Sequence, residues 1–150
     1  MITLAPHKTA SLSATEKSSS GEKKLLVLAV DDEPHIVTLL QMSLDSTFEV
    51  KGATSAEEAL VVANTFPVNV ITLDIMMPGI DGYELCSLLR DHPHTKNAFI
   101  LMLSAKGDSS DKKKAFAAGA DAYLTKPFDP LTLPGHLKTL LKTRKSFTKY

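Results

Sequence analysis

LLVLAVDDEP, residues 25–34, decides the reading of the fold. Six apolar residues, Leu25 to Val30, end abruptly in Asp31 and Asp32. A strand with one wet face would alternate apolar and polar residues. This run does not, so it reads as a strand buried on both faces, which places it inside a parallel sheet. Two adjacent like charges at its end demand an explanation of their own.

Working outward, further short runs follow: FEVKGA (48–53), VNVITL (68–73), FILML (99–103) and AYLT (122–125). Helix-period stretches separate them. Pro34 to about Asp45 aligns Ile36, Val37, Leu40 and Leu44. Ala56 to Thr65 opens on Ser55-x-x-Glu58, a capping box. Asp81 to Arg90 aligns Leu85, Cys86 and Leu89. Ser109 to Ala118 stops at Gly119, a C′ residue. Pro130 to about Lys145 is the last, with Pro134 near the end of its first turn. Strand and helix alternate, which gives right-handed crossovers and helices on both faces. The expected fold is α/β and flavodoxin-like: a doubly wound, five-stranded parallel sheet in the order 2-1-3-4-5. The mixed run FEVKGA belongs at an edge. Residues 1–23, rich in Ser, Thr and Lys, read as a disordered N-terminal tail, 24–145 as the domain and 146–150 as a C-terminal tail.

Composition narrows the class. The 150 residues carry 17 acidic and 17 basic side chains, so net charge gives no reason to expect nucleic acid or an anionic membrane as partner. One cysteine excludes an internal disulfide. No apolar stretch approaches the ~20 residues that span a bilayer, and the N-terminus lacks a signal-peptide core. A cytoplasmic protein is expected.

In a doubly wound sheet, ligands bind at the carboxyl ends of the strands, where the strand order reverses. Those ends carry Asp31 and Asp32, then Asp74, then Ser104, then Lys126. Two carboxylates ~4 Å apart repel by roughly 4 kcal/mol at an effective dielectric near 20. Three of them against one ammonium call for a hard divalent cation such as Mg2+, Mn2+ or Ca2+. Mg2+ keeps part of its shell for phosphate, so the set fits a metal together with a phosphoryl group. Asp74, on the middle strand, is the carboxylate placed to attack phosphorus.

The stretches VDDEP (30–34), LDIMMPGIDGYEL (73–85), LMLSAKG (101–107) and AAGADAYLTKPF (117–128) resemble, in order and spacing, the receiver domain of bacterial two-component response regulators. The resemblance covers about Lys24 to Lys145 and fills every family site position. It implies that Asp74 is the phosphoacceptor and that Asp31, Asp32, Asp74 and the Met76 carbonyl hold Mg2+. Ser104 and Tyr123 would be the switch residues, Lys126 the site lysine, and Lys126-Pro127 a bond often cis. It implies a histidine kinase or histidine phosphotransfer protein as donor. It also implies a downstream protein partner on the surface of the fourth helix, fifth strand and fifth helix, with the chain a monomer or a phosphorylation-dependent dimer. The domain would catalyse only its own phosphorylation and dephosphorylation. No output domain follows in these residues, so a stand-alone receiver and a piece of a longer chain are both open.

Other readings are weaker. A haloacid-dehalogenase-type phosphatase needs a second Asp two residues after the nucleophile, where Met76 stands. A flavodoxin needs a Ser/Thr-rich phosphate loop, where Asp31 and Asp32 would repel phosphate. A phosphate sink would keep the fold and change the role. Cys86 reads as core, and His92 and His94 as loop residues.

Overall fold

The continuous apolar runs form the middle of the sheet. The computed structural model describes residues 2–5 and 24–147. Its elements are β1 (Ile2–Leu4), β2 (Leu26–Val30), α1 (Pro34–Leu44), β3 (Glu49–Ala53), α2 (Ala56–Thr65), β4 (Val70–Leu73), α3 (Gly82–Asp91), β5 (Phe99–Ser104), α4 (Ser109–Ala118), β6 (Ala122–Thr125) and α5 (Leu133–Phe147). Every residue of β2, β4 and β5 is buried, as runs without alternation require. The sheet order is β1-β6-β5-β4-β2-β3. The five strands from β2 onward are parallel and stand in the predicted order.

Alternate residues of each strand feed two cores. On one face Leu28, Val30, Ile71, Leu73, Ile100 and Met102 pack with the alanines of α2 and with Leu85, Cys86 and Leu89 of α3. On the other, Val27, Ala29, Val70, Leu101 and Leu103 meet Leu40 and Leu44 of α1 and Leu133 and Leu137 of α5. The small residues of α2 allow its backbone close to the sheet.

Local signals set the helix ends. Ser55 Oγ accepts from Glu58 N–H at 3.1 Å, half of the expected capping box. The returning Glu58 carboxylate accepts instead from Thr54 N–H at 2.7 Å, one residue earlier. Gly119 closes α4 with φ 113°, the left-handed C′ geometry the sequence predicts.

Three expectations need correction. The last helix begins at Leu133, not Pro130. Asp129 instead organises a turn, its side chain accepting from Leu131 N–H and its carbonyl from Leu133 N–H. Pro134 therefore falls in the first turn, where its missing N–H costs no helical bond. The N-terminal segment also differs. Residues 2–4, read as part of a disordered tail, form β1, which pairs antiparallel with β6. The rest of that predicted tail, 6–23, lies outside the described residues, as do 148–150, while α5 runs two residues past the expected boundary.

At the end of the sheet where β5 begins, Arg90 joins three segments. Its guanidinium donates to the carbonyls of Lys96, Ala98 and Gly119 at 2.6–3.2 Å and to Asp121 Oδ2 at 3.0 Å. Asp121, 2% exposed, also accepts from Ile100 N–H at 2.9 Å, and Arg144 of α5 lies 3.7 Å from the same oxygen. Only the folded chain brings Arg90, Asp121 and Arg144 together.

Candidate functional site

The carboxyl ends of β2 and β4 deliver their acids side by side because the strands are neighbours in register. Asp31 N–H bonds to Ala53 O and Asp74 N–H to Val30 O, so each acid stands one residue beyond its strand. One carboxylate oxygen from each of Asp31, Asp32 and Asp74 lies within 4.8 Å of the others. Asp31 is 1% exposed and Asp74 5%, with Asp32 half-buried. Lys126, just past β6, reaches across to place Nζ 2.7 Å from Asp31 Oδ2 and 3.7 Å from Asp74 Oδ1.

Asp31 tolerates burial because both of its oxygens are engaged, Oδ1 accepting from Glu33 N–H at 3.0 Å and Oδ2 from Lys126. Asp74 is less well served. Burial, reinforced by the charge of Asp31, pushes its pKa up to about 6. Lys126 and the Met76 N–H, 3.3 Å from Asp74 Oδ1, work against that rise without cancelling it. The donor set is all oxygen, and one ammonium leaves two of three negative charges uncompensated. These residues fit a hard divalent cation.

Ser104 and Tyr123 form a second group beside the first. Ser104, at the end of β5, is buried, and its Oγ accepts from Lys106 N–H at 3.2 Å. Tyr123 is fully buried and donates its hydroxyl to Lys106 O at 2.5 Å. Burial raises the Tyr123 pKa, opposed by a hydrogen bond from Ser104. The loop after β5 is thus tied to β6 through Lys106. Met76, two residues after Asp74, is 55% exposed. The Lys126-Pro127 bond is cis.

Gly82 was not singled out from sequence as a site residue. A Cβ there would collide with the Asp74 carbonyl and approach Ile75 Cα to 2.5 Å. Its absence lets the first turn of α3 press against the strand end that carries Asp74, while Gly82 N–H bonds to Ile75 O at 2.9 Å. The second glycine of GIDG, opening a helix just after the acid, is the only local hint of this. Gly82→Ala is expected to cost about 1–3 kcal/mol through overpacking. Gly135→Ala, in α5 with nothing within 4 Å of the added methyl, is expected to gain roughly 0.5–1 kcal/mol. Urea midpoints of the two variants measure both, and equal midpoints would contradict the tight approach at Gly82.

A family model described as the response regulator receiver domain matches residues 27–138. This chain belongs to that family. The receiver domain is 46% identical over 122 residues to the alkaline phosphatase synthesis transcriptional regulatory protein PhoP of Bacillus subtilis strain 168, covering 80% of this chain and 49% of that protein. It is 41% identical over 118 residues to the transcriptional regulatory protein YvrH of the same strain, covering 77% and 48%. The chain thus spans about half the length of these curated relatives. Among solved structures, a response regulator from Chloroflexus aurantiacus J-10-fl superposes with a TM-score of 0.73 at 42% identity, covering 80% of this chain and 99% of that one. Vibrio cholerae chemotaxis protein CheY4 gives 0.74 at 35%, covering 78% and 98%. The receiver domain is a signalling module of two-component systems; such domains bind Mg2+ at an acidic pocket, and Asp31, Asp32 and Asp74 form a cluster that could hold a metal ion. No helix among the described residues is long and apolar enough to cross a membrane.

Proposed function

We infer that this receiver domain accepts one phosphoryl group on Asp74, with Mg2+, from the phosphohistidine of a histidine kinase or histidine phosphotransfer protein. The observation that carries the reading is the approach of Lys126 to both Asp31 and Asp74 within a cluster of three carboxylates. Asp31, Asp32, Asp74 and the Met76 carbonyl are the groups that would hold the cation. When bound, it offsets carboxylate repulsion and draws charge from the phosphoryl oxygens.

The rest belongs to the chain. With a pKa of about 6, Asp74 is mostly ionised at neutral pH and needs no general base. Its free oxygen attacks phosphorus. The new P–O bond forms as the P–N bond to the donor histidine breaks, and the electron pair leaves with the imidazole. The Lys126 ammonium, held beside both acids, stabilises negative charge on an equatorial oxygen, and Ser104 donates to another. If Ser104 turns toward the phosphoryl group, it gives up the Lys106 N–H, loosening the loop whose carbonyl Tyr123 holds. That coupling supports Ser104 and Tyr123 as the switch. It would pass the signal to the α4–β6–α5 face and a protein partner there. A shift from 1:99 to 99:1 between two conformations requires ~5.5 kcal/mol of differential stabilisation, within reach of several charge-assisted contacts to a new dianion.

The reading makes the domain a cytoplasmic phosphoacceptor that catalyses only its own phosphoryl transfer and hydrolysis. The curated relatives are named transcriptional regulators, so the expectation of no nucleic-acid partner finds no support from them. Acetyl phosphate with Mg2+ is expected to add the mass of one phosphoryl group to the intact chain. A chain that keeps its mass under these conditions overturns the proposal.

A further inference from the structure

The two edges of the sheet are protected in different ways. At one edge β3 carries Glu49 and Lys51, charged residues that discourage another strand from adding. At the other end of the five-strand sheet, β6 reads Ala-Tyr-Leu-Thr and has no charge at all. Without a cover it would present an open, uncharged edge. β1 is that cover: Ile2, Thr3 and Leu4 lie opposite Leu124, Tyr123 and Ala122, and Ala5 N–H donates to Asp121 O at 2.8 Å.

The hold is short and shallow. Hydrogen bonding alternates along an antiparallel pair, so the Ala5–Asp121 bond places Thr3 and Tyr123 in the next bonded pair. Lys126 N–H bonds to Ser104 O on the β5 side, which by the same alternation leaves the Tyr123 N–H facing β1. Ile2 is partly buried against the core shared with α5, and Leu4 remains 44% exposed. Each backbone bond gained roughly offsets the entropy of fixing one residue, so a three-residue strand with one anchoring side chain is readily released.

We propose that β1 is a detachable cover that keeps the β6 edge from pairing with the β6 edge of a second copy of this chain. An antiparallel pair of identical strands is what a two-fold axis generates, so the uncovered edge is complementary to itself. The edge lies within the α4–β6–α5 face, but the inference stands on pairing and charge alone and holds whether or not Asp74 is phosphorylated.

The test uses all 150 residues of this chain, without phosphodonor. Thr3→Pro removes the donor opposite Tyr123, and Ile2→Asp removes the partly buried anchor. Sedimentation velocity is expected to show the unaltered chain as a monomer at all concentrations, with a Tyr123 amide protected from hydrogen exchange. Both variants are expected to dimerise as concentration rises, losing Tyr123 protection when dilute and regaining it when concentrated. Variants that stay monomeric with an unprotected Tyr123 would overturn the proposed partner. Unaltered protection in the dilute variants, or an unaltered chain that already dimerises, would overturn the role of β1.

Discussion

Asp74→Asn is expected to take up no phosphoryl group and, in the same molecule, to make the metal-free protein more stable at neutral pH. The loss follows because an amide offers no anionic oxygen to attack phosphorus. The gain follows from the electrostatics. The folded-state pKa of Asp74, about 6, lies above the ordinary ~3.9 of an aspartate, so the native state holds this proton more tightly than the unfolded chain does. Its contribution to stability is fully present below about pH 4 and is lost as pH rises through 6. Above that, the ionised carboxylate sits beside Asp31 and Asp32 at a cost of about 1–2 kcal/mol, after allowing for solvent screening in an open crevice. Asparagine removes that cost. Urea unfolding should therefore show the variant ahead at pH 7.5 and the gap closing toward pH 4.5. Mg2+ should raise the midpoint of the unaltered protein and raise the variant far less. A stability gap independent of pH would contradict this electrostatic account.

Asp121→Ala carries the largest expected loss of stability, about 2–4 kcal/mol, because it removes a buried carboxylate shared by two partly buried guanidinium groups. Arg90 and Arg144 would keep their charges near a cavity, and Ile100 N–H would lose its acceptor. Such a loss is a large part of the ~5–15 kcal/mol that holds an ordinary domain together. Arg90→Ala should cost less per oxygen left unpaired, since its carbonyl partners at Gly119 and Lys96 lie nearer solvent. A double-mutant cycle should show strong non-additivity between the two. The cluster lies at the end of the sheet remote from Asp74. Acetyl phosphate uptake by the folded Asp121→Ala protein should therefore be near normal. A loss below about 1 kcal/mol would mean that the pairing contributes little beyond packing.

Parts of this architecture are written locally and parts are not. Continuous apolar runs announce the central strands because burial on both faces leaves no room for polar alternation. Asp31, Asp32, Asp74 and Lys126 are legible because they stand at the carboxyl ends of strand-length runs, and the topology then brings strand ends together. Gly119 and Ser55 are legible because capping is a matter of neighbours. β1 was missed because three residues carry too little pattern to mark a strand, and its partner lies more than a hundred positions away. The same holds for Arg90, Asp121 and Arg144, each ordinary in its own segment. Gly82 required knowing how closely α3 approaches the Asp74 strand end. The start of α5 was misjudged because Asp129-Pro130 looks like a helix opening, whereas a start at Leu133 keeps Pro134 in the first turn, where its missing N–H costs no helical bond.

The central claim is that the phosphoryl group resides on Asp74. Chain phosphorylated with acetyl phosphate and Mg2+ can be reduced with borohydride, which converts an aspartyl phosphate to homoserine, and then mapped by peptide mass. The account predicts homoserine at position 74 and nowhere else. Reduction at Asp31 or Asp32, or a phosphoryl group that survives on a serine, threonine or histidine, would contradict it.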